Sequence, residues 1–369
     1  MIKINILTPQ NKYTKGFYDF YPLLKWKDNF LKEGIKFSFF KSHLNPNLRN
    51  ANILIIDSRY PEMILKGHYK VDVKQNYSDD SFIIDFINES RKFVDKIILF
   101  DNNDDAGSIS LHITPFVDIH LKKQLFSDVK KYNELEEYNL MPWLPKGENI
   151  TERKNKKIKY SVLNPSENHK LRLGWNIGMC DYRKLPFKKL LPMGTNPFFN
   201  NLYNHLDIKE PSINRDLLLS YRGSSNRFPS YDYQRNLVMN ELEKLNNYNA
   251  IVGGKVPFEE YMKEQENSKI SVSPYGWGEI CYRDFESILN GCLLLKPNMN
   301  HLATYPNFYT KETYVPFSWD CSDLLSTIES VKENYSDYMQ IITNAQSLFK
   351  RSQSDSKSFI EHFKKNILD

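Results

Sequence analysis

The chain of 369 residues is poor in the features that assign a protein quickly. Its four cysteines (Cys180, Cys281, Cys292, Cys321) form no Cys-x-x-Cys pair. That excludes a disulfide scaffold and argues against zinc, and they read as small core residues of a reducing compartment. The eight histidines show neither HxH nor HxxxH spacing, which removes the usual histidine zinc sites. No apolar run approaches the ~18 residues of a membrane span; the longest, such as 53–56 and 292–295, have the length of strands. The opening MIKINILTP has no apolar h-region or small-residue cleavage site, so no secretory signal is expected and the cytoplasm is the predicted location. No repeat of ~20–50 residues is visible, which argues against a solenoid or propeller. Charge is nearly balanced as well, 50 Lys+Arg against 45 Asp+Glu for a net +5, short of a dedicated nucleic-acid binder.

What the chain has in quantity is aromatic and aliphatic surface. With 23 Phe, 23 Tyr and 5 Trp there is ample apolar area for more than one core, and the length predicts two domains. Strand-like and helix-like stretches alternate in the first half. Residues 2–7, 35–40, 52–57 and 96–100 read as strands; 18–33 and 82–93 carry apolar residues at helical spacing. Apolar strands separated by helices imply a parallel sheet covered on both faces. A second alternation begins near Arg215, with strands at 216–221, 249–252, 269–273, 292–296 and 313–317 and helices at 233–245, 258–266 and 279–290. Helices are expected from Cys321 to the end. The stretch between, 140–212, is rich in Pro, Asn and Lys and reads as an irregular hinge. Two doubly wound sheets joined by that hinge put the presumptive active site in the cleft between them.

The most informative segment is Ser273-Pro-Tyr-Gly-Trp-Gly-Glu-Ile-Cys-Tyr-Arg-Asp-Phe-Glu286. A strand ends, a Gly-rich turn follows through Tyr275, Gly276 and Gly278, and a helix is expected from about Glu279. Exposed N–H groups of such a turn, backed by a helix N-terminus, suit a phosphate. Glu279, Arg283, Glu286 and Asn290 then share one helical face, with Glu279 and Arg283 in the favourable order for an i,i+4 ion pair. An ion-paired surface helix after a turn is the plainer account of the same residues.

Ser273 to Cys292, SPYGWGEICYRDFESILNGC, resembles the C-terminal signature of exostosin-like glycosyltransferases with GT-B architecture. Lys296-Pro297, the 319–324 segment and Leu219-Ser-Tyr-Arg-Gly-Ser224 also resemble bacterial members that build capsules and lipopolysaccharides. The resemblance covers about residues 215–335. It implies an α/β fold of two Rossmann-like domains facing a cleft, with C-terminal helices: an acceptor domain over 1–140, a connecting segment over 141–212, a nucleotide-sugar-binding domain over 213–335, and helices over 336–369. It implies transfer of a sugar from a UDP-, GDP- or CMP-linked donor, the last as in β-Kdo transferases, to a surface glycan or its lipid-linked precursor. The glutamate matching Glu286 would hold the ribose hydroxyls. Arg222 (followed by Gly223) and Arg283 would face the donor phosphate, where a guanidinium makes forked contacts. Many retaining members have two glutamates with seven residues between them, whereas Glu279 and Glu286 have six, so Glu279 does not simply inherit the first role and the stereochemical outcome stays open.

Metal and base can be weighed from the residues themselves. There is no Asp-x-Asp triplet, which speaks against a metal-bridged donor, so no cofactor or metal is expected beyond the nucleotide-sugar co-substrate. Charge on the leaving nucleotide would be balanced by arginines and the helix dipole. For the acceptor-activating carboxylate the candidates are Asp57, Asp101, Asp104 and Asp105 at strand ends, with Asp118 near His120 and Lys122 a further option and Glu279 the candidate from the motif. His112 and His120 read as structural. The basic stretches, 153–159 and Arg183, Lys184, Lys188 and Lys189, are either a solvated face or a surface for anionic lipid headgroups, giving peripheral contact with the inner face of a membrane. A non-catalytic glycan- or nucleotide-binding subunit is the competing functional class; nucleic-acid partners are not expected.

Overall fold

A computed structural model describes residues 1–9, 19–67, 79, 81–134, 162–181, 183, 206–223, 229–245 and 248–369. The basic stretch 153–159, with Lys184, Lys188, Lys189 and Ser224, lies outside these residues, as does much of the expected connecting segment.

The first sheet holds six parallel strands in the order β2-β1-β3-β4-β5-β7. They are β1 Ile2–Leu7, β2 Ile35–Phe40, β3 Ile53–Asp57, β4 Lys96–Asp101, β5 Ile119–Lys122 and β7 Leu171–Leu173; β6, Gln124–Phe126, lies outside this sheet. Alternation along the strands divides their side chains between two cores, as the two-residue period requires. Ile53, Ile55, Ile98 and Phe100 point to one core, whereas Leu54, Ile56, Ile97 and Leu99 point to the other. Helix Ser81–Ser90 covers the second core with Ile83, Phe86 and Ile87.

The second sheet repeats the plan with β8 Leu217–Arg222, β9 Ala250–Gly253, β10 Ser268–Val272, β11 Leu293–Pro297 and β13 Val315–Phe317. Its order is β13-β11-β10-β8-β9. In each sheet the first strand has the second on one side and the third on the other, so both have a topological switch point where ligands collect at carboxyl ends. The expected pair of Rossmann-like domains facing a cleft is present.

Three features depart from the sequence reading. Leu171–Leu173, inside the stretch expected to be irregular, pairs with β5 as an edge strand; three residues are too few for a periodicity signal. Trp175 just beyond it is buried against Phe100 and Phe359. The motif helix runs Tyr282–Leu289 with Cys281 as its N-cap, so Glu279 precedes it and is not on its face. The helical end of the chain also crosses between domains. Helix Met339–Ser354 packs Ala345 and Phe349 against Phe285 and Phe308. Helix Ser356–Phe363 then delivers Phe359, Ile360 and Phe363 to the first sheet's core, beside Trp26 and Phe30.

A two-stranded antiparallel sheet also joins the halves: β6 pairs with β12, Leu302–Thr304, matching Phe126 to Leu302 and Gln124 to Thr304. Among the described residues, no helix is long and apolar enough to cross a membrane.

Because Phe363 is fully buried among Phe30, Phe37 and Trp175, Phe363→Ala is expected to destabilise the protein by about 3–5 kcal/mol. Urea unfolding followed by tryptophan fluorescence measures the loss, with the N-terminal domain reporting a substitution near the C-terminus.

Candidate active site

The carboxyl ends of β8 and β10 open into a cleft of about 530 Å³ between the domains. The second domain contributes Arg222 and Gly223 after β8, the turn Gly276-Trp277-Gly278 after β10, and Arg283 and Glu286 on the following helix. Lys255, Tyr261 and Arg235 complete that wall; Asp19, Arg59, Asp104, Lys123 and Gln124 form the wall across the gap. Six cationic side chains thus face three carboxylates, a balance suited to an anionic ligand.

Buried ionic pairs shape each wall. Asp284 on the motif helix has no solvent access and receives Lys296 Nζ (3.0 Å), Tyr309 Oη (2.7 Å), Ser273 Oγ and the Cys281 backbone N–H (3.1 Å). That one carboxylate ties the end of β10, strand β11 and the helix start together, and so fixes the turn between them. In the first domain Asp101 does the same work. It accepts from Lys122 Nζ (3.1 Å) and from the N–H groups of Asn103 (3.0 Å) and Ser110 (2.9 Å). Lys122 Nζ also donates to the carbonyls of Asn103 and Ser108, each at 3.0 Å. Burial alone would raise the Asp101 pKa, but Lys122 and His120 beside it pull the carboxyl far below the usual range.

Asp101 is therefore a structural anchor, not an acceptor-activating base: it is fully buried, spoken for and outside the cleft. Asp57 is likewise enclosed. It accepts from Thr8 Oγ1 (2.7 Å), the Arg59 N–H (3.0 Å) and Asn102 Nδ2 (3.0 Å), and burial pushes its pKa up. Asp118 lies at the opposite, amino end of β5, bonded to Arg91 (3.0 Å) and the Ile97 N–H (2.7 Å). His120 is buried with Nδ1 2.8 Å from Thr114 Oγ1, as a structural histidine would be. Asp104 alone of the expected strand-end acids lines the cleft, half exposed, with Lys123 at 3.2 Å and Arg59 at 3.6 Å. Asp19 lies beside them, 2.6 Å from Arg59.

The motif residues divide in a similar way. Arg222 lies at the cleft, but its guanidinium is held by Glu264 in a forked pair, with Nε 2.8 Å from Oε2; the expected open contact with a donor phosphate is occupied by a protein carboxylate. Arg283 has no carboxylate partner among the described residues. It donates to the carbonyls of Arg222 and Val272 and stacks over the Tyr221 ring at 5.0 Å. Glu286 faces the cleft and accepts from Tyr261 Oη at 3.1 Å; burial raises its pKa and Arg283 partly restores it. Tyr275 lies behind the turn, buried, its hydroxyl bonded to the Asn298 carbonyl at 2.9 Å. Glu279 makes no ion pair with Arg283; its carboxyl reaches instead into the first domain, to the Ala106 N–H at 3.2 Å.

Sequence reasoning missed Asp19, Arg59, Lys123, Arg235 and Lys255, which come from five separate places and meet only on folding. Asp284 had a usable signal: it stands three residues after the N-cap, where an acid reaches back to the N-cap N–H. No group of three or more metal-competent side chains occurs among the described residues.

The chain matches no protein-family model and no curated protein. Among solved structures it is similar to an alpha-glucosyltransferase in complex with UDP-glucose and DNA containing an abasic site, with TM-score 0.43 and 10% identity over 99% of each chain. It is also similar to HepE from Anabaena in complex with UDP and glucose, with TM-score 0.46 and 8% identity over 100% of each. A third is the UDP-GlcNAc 2-epimerase of Neisseria meningitidis bound to UDP-GlcNAc, with TM-score 0.39 and 11% identity over 99% of this chain and 100% of that one. At these scores the likeness concerns the course of the chain and carries no argument about chemistry.

Gly278 is where the two walls touch. A Cβ on it would lie 1.7 Å from the Asp104 carbonyl oxygen and 2.8 Å from the Asp105 nitrogen. Gly278→Ala is therefore expected to force the domains apart at the turn and lower stability by about 1–3 kcal/mol, read as a fall in melting temperature relative to Gly254→Ala, whose Cβ would meet open space.

Proposed function

We propose that the protein transfers a sugar from a nucleotide-sugar donor to a hydroxyl acceptor across this cleft, without a metal ion. The observation that carries the reading is the excess of positive charge at the switch point of the second sheet, beside Glu286 and a Gly-rich turn. Phosphate oxygens match Arg283, which among the described residues has no carboxylate pair of the kind that holds Arg222, with Arg235 beside it bonded to the Tyr275 carbonyl at 3.3 Å. A carboxylate such as Glu286 accepts two vicinal hydroxyls of a ribose. Leaving-group charge would be met by guanidinium groups in a partly enclosed cleft, where such contacts gain strength.

The acceptor enters on the other wall. Asp104 is its base: a half-exposed carboxylate at the cleft, with Lys123 and Arg59 orienting it, takes the proton from the attacking hydroxyl. The similarity of residues 273–292 to exostosin-like enzymes supports a glycan acceptor, of the kind built into capsules or lipopolysaccharides, or its lipid-linked precursor.

Calorimetric titration with CMP, UDP and GDP is expected to give binding by at least one of them, and Arg283→Ala to weaken it roughly 10- to 100-fold, the worth of a charge-assisted hydrogen bond. A flat response to all three nucleotides would sink the reading. With a donor and acceptor in hand, Asp104→Asn is expected to lower kcat by about 10²–10⁴ while donor affinity stays within a few-fold; equal loss in both would remove Asp104 from the role of base.

A further inference from the structure

Trp277 lines the cleft between two glycines, and both of them are pinned. The Gly276 N–H donates to the Gly278 carbonyl at 2.8 Å, which closes a tight turn with Trp277 at its tip. On one flank, a Cβ added to Gly276 would lie 3.0 Å from Arg235 Nη2 and 3.0 Å from Cys281 Sγ. On the other, Gly278 stands against the Asp104 carbonyl of the opposite domain. The turn is wedged between its own helix start and the acceptor wall, so its backbone has little room to carry Trp277 elsewhere. Yet Trp277 remains 46% exposed. A tryptophan held this way in a cleft offers a large apolar face for a bound ring to cover.

Charge is distributed unequally between the two walls. On the second domain, Arg235, Lys255 and Arg283 stand against Glu286 once Arg222 is paired with Glu264. On the first, among the described residues, two cations meet two carboxylates in a closed ring. Arg59 lies 2.6 Å from Asp19 and 3.6 Å from Asp104; Lys123 lies 3.2 Å from Asp104 and 3.9 Å from Asp19. An anion arriving at this wall finds its cations already paired and meets the repulsion of two carboxylates. A hydroxyl does not: Asp104 accepts hydrogen bonds, and Gln124 on the same wall both donates and accepts.

From these two observations we infer that the acceptor presents an uncharged pyranose ring, stacked on Trp277 with its attacking hydroxyl toward Asp104. The inference rests on the sugar-transfer reading and narrows its acceptor to one chemical class. A pyranose has a face of C–H groups and a rim of hydroxyls. The C–H face covers the indole, and the rim meets Asp104 and Gln124. A nucleobase also stacks on indole, but its ribose is assigned to Glu286, which is bonded to Tyr261 on the helix Phe258–Asn267. On that side the aromatic surface is Phe258, 43% exposed in the cleft with its ring 6.5 Å from that of Tyr261. Trp277 instead adjoins the residue that touches Asp104. It is a specificity-determining residue for the acceptor, and an acidic or phosphorylated sugar is disfavoured at this position.

Titration of the full chain followed by saturation-transfer NMR tests this. The probes are methyl β-D-glucopyranoside, methyl β-D-galactopyranoside, methyl α-D-mannopyranoside and the acidic methyl β-D-glucuronide. At least one neutral glycoside is expected to bind, and more tightly than the glucuronide. Trp277→Ala is expected to weaken it about 3- to 10-fold, the worth of an aromatic stacking contact, while Trp277→Phe retains most of the affinity. Calorimetric titration of Trp277→Ala with CMP, UDP and GDP is expected to match wild type. The inference is overturned if no neutral glycoside binds, if the glucuronide binds as tightly, or if Trp277→Ala binds as wild type does. A loss of nucleotide affinity in Trp277→Ala equal to the glycoside loss also overturns it, because the indole would then lie under the base. Should Trp277→Ala lack a cooperative melt, Trp277→Leu takes its place, keeping an apolar side chain without a ring. The two readings fail separately: nucleotide binding without glycoside binding overturns only the acceptor assignment, whereas no nucleotide binding sinks the sugar-transfer reading whatever the glycosides do.

Discussion

Two lysine ammonium groups without solvent access, Lys122 and Lys296, are paired with two equally buried aspartates, Asp101 and Asp284. The rest of the site depends on these pairs. Ions taken out of water are costly unless each finds a partner and further hydrogen bonds, and removing one member typically costs ~3–5 kcal/mol. Here their further hydrogen bonds go mostly to loop backbone or a strand end. Lys122 and Asp101 bind Asn103, Ser108 and Ser110 and so fold the loop that carries Asp104 to Ala106. Asp284 binds Ser273, Cys281 and Tyr309 and so sets the turn that carries Gly276 to Glu279. At the cleft, the contact between the domains is the meeting of those two anchored segments.

This arrangement separates support from chemistry in a way that charge alone does not announce. Acidic residues crowd the ends of β3 and β4, yet Asp57 and Asp101 face inward and spend their acceptor capacity on the protein's own donors. Asp104, two residues beyond the last buried position of its strand end, is the one left at the cleft. A similar division holds among the arginines. Arg222 is neutralised by Glu264, whereas Arg283 rests on backbone carbonyls and an aromatic ring, contacts that orient a guanidinium without cancelling its charge.

The two domains are also joined by the β6–β12 pair and by the C-terminal helix that returns to the first sheet. At the cleft itself, Gly278 meets the Asp104 backbone and Glu279 reaches the Ala106 N–H.

Most strands and helices of both sheets were legible in the sequence, because apolar runs such as 53–56 and 292–295 bounded by Pro, Gly or acid are a local signal. So was the strand–turn–helix of residues 273–290, which marked one wall of the site. Pattern and spacing determined the class of fold, the presence of two domains and the Gly-rich turn that lines the cleft. What they could not determine was the destination of each charge. Whether an aspartate is a buried anchor or an exposed base depends on which lysine or backbone N–H reaches it from elsewhere in the chain, as Lys122 reaches Asp101. Helical spacing aligned Glu279 with Arg283, but a three-residue delay in the helix start turned it to the other domain. Short edge strands such as Leu171–Leu173 exist because a neighbouring strand offers hydrogen bonds, not because three residues prefer extension. Local periodicity is written along the chain; the pairing of charges across it is decided only when the two domains close on one another.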